Sequence, residues 1–130
     1  MKTRIAAFAD HVNMTADGKL NVIGVFSTIW SKEFPAVHSR AYLVLQFDIE
    51  DADVGEHSLA IQLRGPAKNM IHEIKGSFAG ALDPNGSKAV AVVQAEYVNL
   101  RLPSEGLYEA RVIVDNKTIE RVGVLVRKRA

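Results

Sequence analysis

Apolar and polar residues alternate through "AYLVLQFDI", residues 41–49: Leu43, Leu45, Phe47 and Ile49 share one parity, and Tyr42, Val44, Gln46 and Asp48 the other. Side chains of an extended chain point to opposite faces in turn, so this run is a strand with one apolar face. "HSLAIQLR" at 57–64 sets Leu59, Ile61 and Leu63 against Ser58, Ala60, Gln62 and Arg64. "LYEARVIVD" at 107–115 sets Tyr108, Ala110, Val112 and Val114 against Glu109, Arg111 and Asp115, and Val122, Val124 and Val126 repeat the pattern. No stretch carries the 3.6-residue period of an amphipathic helix. The alternation predicts about eight strands, near 3–11, 19–30, 40–49, 57–64, 70–79, 88–100, 107–115 and 118–128. Strands with one wet face bury the other against a second sheet. The expected fold is therefore all-β: an antiparallel two-sheet β-sandwich of about eight strands, Ig-like or related in topology.

The punctuation agrees. "DPNG" at 83–86 has the residue preferences of a type I turn, and "VDNKT" at 114–118 joins two alternating runs through Asp115 and Asn116, which tolerate positive φ, so a tight hairpin is expected. "RGPAKNM" at 64–70 and the stretch between Pro103 and Gly106 read as further connections. A chain of 130 residues fits one domain spanning 1–130, hiding roughly two thirds of its unfolded surface.

A net charge of +1 and a pI near 8.0 create no global pull toward nucleic acid or an anionic membrane, so neither is an expected partner. The absence of cysteine excludes a disulfide framework, a thiolate zinc site and a cysteine nucleophile. The five apolar residues before Asp10 in "MKTRIAAFAD" are shorter than the roughly 7–15 of a signal-peptide core, and no run approaches the roughly 20 of a membrane span. The expected location is cytoplasmic.

Several clusters invite a chemical reading. "DHVNMTADGKLN", 10–21, gathers Asp10, His11, Asn13 and Asp17, but it supplies no nucleophile and no further ligands; it reads as two strand ends and a turn, with Asp10 and Asp17 as possible neighbours. The acidic stretch 48–57 offers Asp51, Asp53, Glu56 and His57 to a metal such as calcium. The EF-hand pattern fails there, with Gly55 and Gln62 at ligand positions, so a solvated loop is preferred and a metal or small-molecule site, catalytic or not, is the alternative. Histidines at 11, 38, 57 and 72 lack zinc spacing; His72 shares the parity of Met70, Ile74 and Phe78 and is expected to be semi-buried, while His57 begins a strand in the inward phase and is the better pH-sensitive candidate. None of the serines, Ser87 included, lies in a GxSxG turn, and no glycine-rich phosphate loop is present. No cofactor is expected.

Two candidates concern binding. Arg127, Lys128 and Arg129, with Arg121 on the same strand, could contact an anion, although charged residues also guard edge strands against unwanted pairing. In "STIWSKEFPAV", 27–37, Trp30 and Phe34 form either an aromatic lid on the sandwich or a partner-binding patch, since Trp is enriched in interface hot spots.

The run "FADHVNMTADGKLNVIGVFSTIWSKEFPA", 8–36, and the run "LRLPSEGLYEARVIVDNKTIERVGVLV", 100–126, resemble the signatures of a family of small bacterial and phage-associated β-sandwich proteins of unknown function. The resemblance implies a sandwich and no particular reaction. With no nucleophile motif, metal spacing or phosphate loop, the expected function is a non-catalytic binding module, acting through sheet edges and end loops on a protein partner or on a second copy of itself.

Overall fold

A computed structural model describes residues 1–85 and 89–130. Among these it holds nine strands: β1 (Lys2–Met14), β2 (Leu20–Phe26), β3 (Thr28–Ser31), β4 (Ala36–Ile49), β5 (Gly55–Arg64), β6 (Met70–Gly80), β7 (Ala89–Leu102), β8 (Gly106–Val114) and β9 (Lys117–Lys128). A single 3-10 turn, Asp51–Asp53, separates β4 from β5. The strands form a four-stranded sheet, β2-β1-β4-β7, and a five-stranded sheet, β3-β9-β8-β5-β6, the latter curled like a half-barrel. Among the described residues no helix is long and apolar enough to cross a membrane.

The alternation places the core. Leu43, Leu45, Phe47 and Ile49 of β4 are buried, as are Leu59, Ile61 and Leu63 of β5, Tyr108, Ala110, Val112 and Val114 of β8, and Val124 and Val126 of β9. With Phe8, Ala95 and Tyr97 they fill the space between the sheets. The opposite parity of β4 turns outward, where Val44 is covered by a smaller cluster with Ala9 and Val12.

Strand order follows an immunoglobulin-type plan. There, strands B and E pair in one sheet, and C, F and G in the other; β4 and β7 take the first pair of places and β5, β8 and β9 the other three. A tyrosine corner supports the match. In such domains a Tyr near the start of strand F bonds back to the backbone upstream. Tyr108, fully buried near the start of β8, donates its hydroxyl to the Ser104 carbonyl at 2.7 Å and accepts from the Ser104 N–H at 3.2 Å. Ala110, two residues on, stands where antibody domains carry a disulfide cysteine, so apolar packing fills that position here.

The hairpin at 114–118 behaves as read. Asp115 and Asn116 hold φ of 50° and 66° between the paired residues Val114 and Lys117, the two positive angles a type I′ hairpin needs. Asn85 donates its N–H to Asp83 Oδ1 at 2.9 Å, while Gly86, Ser87 and the expected first residue of the sixth strand, Lys88, lie outside the described residues.

Three expectations need correction. The strand expected over 19–30 is two strands: the chain leaves the four-stranded sheet after Phe26 and joins the five-stranded one at Thr28. Its second half, β3, runs parallel to β9, so the sandwich is not wholly antiparallel. Secondly, the hairpin at residues 10–21 is longer than expected: Asp10 lies beside Gly24, well inside β1, and Asp17 sits at the turn beyond Met14, so the two are not neighbours. Thr15 Oγ1 donates to Asp17 Oδ1 and accepts from the Lys19 N–H. Thirdly, His72 is exposed rather than semi-buried. It pairs with Leu63, but on the edge strand β6, where its ring meets Tyr97 edge-on at 5.2 Å. A register break beside it turns Ile71 onto the core and leaves Met70 43% exposed.

Candidate functional site

The four residues of the acidic-loop candidate are divided among separate tasks. Asp53 accepts from the Glu50 N–H at 3.1 Å and so closes the 3-10 turn. Asp51 and Glu56 are exposed, and Glu56, one residue before His57, projects from the opposite face of β5. Among the described residues no three His, Asp or Glu side chains are placed to hold a metal ion.

His57 is held instead in a clamp. Its Nδ1 lies 2.6 Å from Asp115 Oδ2 and its Nε2 lies 2.7 Å from the Asp53 carbonyl. Both partners can only accept, so the clamp is fully satisfied by the doubly protonated ring, a form with no lone pair for a metal. Asp115 Oδ1 accepts from the Ser58 N–H at 3.0 Å, which ties the β8–β9 turn to the start of β5, and Phe78 stacks on the imidazole at 5.4 Å. The Asp115 bond, then the Asp53 carbonyl, hold the His57 pKa above its usual 6.5; the His57 bond, then the Ser58 N–H, hold Asp115 below 3.8.

The sign of the pH dependence follows. A raised histidine pKa gives stability that is fully present below 6.5 and is lost as pH rises through the folded-state value. A lowered carboxylate pKa gives stability that is present above 3.8 and is lost on acidification. The thermal midpoint is expected to fall as pH climbs past 6.5, and His57→Gln to flatten that part of the profile. Melts of both proteins across this range check it; identical slopes would show that the clamp does not titrate there.

The aromatic candidates part company. Phe34 packs against the core, next to a cis Phe34–Pro35 peptide. Trp30 stays 54% exposed because Ile29, the preceding residue of β3, takes the inward face. The basic C-terminal trio is likewise divided. Arg127 is in register with Trp30 and shares its face, whereas Lys128 projects to the other, and its N–H donates to Glu105 Oε2 at 2.8 Å. The Arg129 N–H bonds the Ser31 carbonyl at 2.7 Å, just past the end of the strand. Arg127 and Lys128 thus leave opposite faces of β9, and Arg129 follows its last residue.

The outer face of the five-stranded sheet carries what remains. At one end Trp30 and Arg127 stand beside the row Leu125–Leu107, Leu107 being 57% exposed. Along β8 and β9 toward the hairpin, Arg64, Lys68, Arg111 and Arg121 ring a shallow depression of about 360 Å³. Alternation marks Arg64, Arg111 and Arg121 as outward-facing. It does not reveal that β5, β8 and β9 are adjacent, so this gathering is absent from the sequence reading.

A family model described as a family of unknown function, DUF6941, matches residues 4–127, and the chain belongs to that family. No curated protein matches it.

Proposed function

We propose that this member of a family without an assigned role is a non-catalytic binding module, cytoplasmic and of bacterial or phage-associated origin, which engages a protein partner at the open β3 edge of its five-stranded sheet. The observation that carries the reading is Trp30. It is the sole tryptophan, more than half exposed, on a four-residue strand bonded to β9 on one side and forming the end of the sheet on the other. Such an edge offers backbone donors and acceptors to an incoming strand, while the indole and the neighbouring Arg127 supply side-chain contacts. A tryptophan this exposed is the kind of side chain that anchors interfaces.

The test is Trp30→Ala. Because the side chain is exposed, the variant is expected to melt within about 0.5 kcal/mol of the parent, yet to lose the partners captured from the native host and identified by mass spectrometry. Equal capture by both proteins would remove the reading, and a large loss of stability would show that Trp30 serves the fold. Self-association is the second reading, favoured by Val25, Val90 and Val98, all exposed on the outer face of the four-stranded sheet. Light scattering on the purified protein separates the two.

A further inference from the structure

We propose that the depression on the outer face of the five-stranded sheet binds a tetrahedral oxyanion of the phosphate class, held by Arg64, Arg111 and Arg121. Arg111 and Arg121 are register partners on adjacent strands, which sets their side chains side by side on one face. Like charges placed directly opposite each other in a sheet repel, and an anion between them turns that repulsion into attraction. The next row contributes Arg64 opposite Glu109, with Gly123 on the far side of Glu109. Gly123 brings no side chain to the row, so the surface dips there.

The charges are not neutralised from within. Among the described residues four cations line the depression against a single carboxylate, Glu109, which accepts from Arg111 Nε at 3.1 Å. Glu73, on β6 beside Gln62, accepts from Gln62 at 2.8 Å and lies 3.7 Å from Lys75. Arg64 donates from its two terminal nitrogens to the Lys68 carbonyl and Gln62 Oε1, while its buried Nε has no acceptor among the described residues. A buried donor without a partner is costly, and on a charged guanidinium more so. Arg121, exposed on the depression, makes no bond among the described residues, and arginine forks match phosphate oxygens in pairs. The loop that carries Lys68 is pinned by the Gly65 N–H to the Asn69 carbonyl and the Lys68 N–H to the Gly65 carbonyl, both at 2.9 Å, so the rim is formed before any ligand arrives.

The proposal stands apart from the partner reading, since it needs neither Trp30 nor a protein. Titration of the ¹⁵N-labelled protein with inorganic phosphate tests it. Saturating shifts are expected at the amides of residues 64–68, 107–111 and 121–123. Arg121→Gln alters an exposed side chain with no bond among the described residues, and is expected to weaken binding by about tenfold. Arg101→Gln, an exposed arginine on the other sheet, is expected to leave binding unchanged. Sulfate should compete, and acetate at equal ionic strength should not. A phosphoserine peptide run beside phosphate tells whether the group arrives on a chain or free: tighter binding of the peptide marks the first and equal binding the second. Shifts that never saturate, equal affinity in Arg121→Gln, or equal competition by acetate would each overturn the assignment.

Discussion

Replacing Phe47 with Ala is expected to lower the unfolding free energy by about 3–5 kcal/mol, the usual cost of emptying a buried aromatic site. Phe47 is wholly buried and points from the middle of the four-stranded sheet toward the five-stranded one. Its ring stacks on Phe78 at 5.6 Å, and Phe78 stacks in turn on His57. The deletion therefore leaves a cavity between the sheets and also removes the support behind the His57–Asp115 clamp. Collapse is hard, because β4 is bonded on both sides, to β1 and to β7, and cannot shift alone. Native domains are stable by only about 5–15 kcal/mol, so a large share of the total is at stake. Urea unfolding of the two proteins reads the difference, with Phe47→Leu expected to lie between them. A loss under about 1 kcal/mol would mean that the site repacks.

Gly106→Ala is expected to cost roughly 3 kcal/mol through two separable causes. Gly106 opens β8 with φ of 139°, a conformation that residues with a Cβ rarely adopt, and such backbone strain costs about 1–3 kcal/mol. A Cβ there would also stand 2.5 Å from Pro66 Cγ and 2.7 Å from Pro66 Cβ, inside contact distance. The proline ring cannot swing aside, because its loop is closed by the bonds between Gly65, Lys68 and Asn69. Overpacking of this kind adds about 1–3 kcal/mol. Gly55→Ala isolates the backbone part: Gly55 has φ of 117° and, among the described residues, nothing within 4 Å of the added atom. Its loss under urea denaturation should be clearly smaller than that of Gly106→Ala. Equal losses would show that Pro66 gives way.

The clearest failure of the sequence reading, the single strand over 19–30, has a local cause. Phe26 packs inward from one sheet and Ile29 from the other, three residues apart, so the parity changes across Ser27. The chain remains extended through the change, and an averaged alternation passes over it. His72 fails for a related reason: parity gives the face of a strand, whereas burial also depends on whether the strand lies inside its sheet or at its rim.

Parity is a property of each strand taken alone. It was enough to give the all-β class, the inward faces of β4, β5, β8 and β9, and the hairpin at Asp115–Asn116, because backbone geometry fixes which side chains share a face and which residues tolerate positive φ. Adjacency is a property of pairs of strands distant along the chain. Only the tertiary structure set β5, β8 and β9 side by side, bringing Arg64, Arg111 and Arg121 to one surface, and only it joined His57 to Asp115 while leaving Asp51 and Glu56 outside that contact. The physical reason is that strand order is selected by burial of the whole core, a sum over both sheets that no single segment contains.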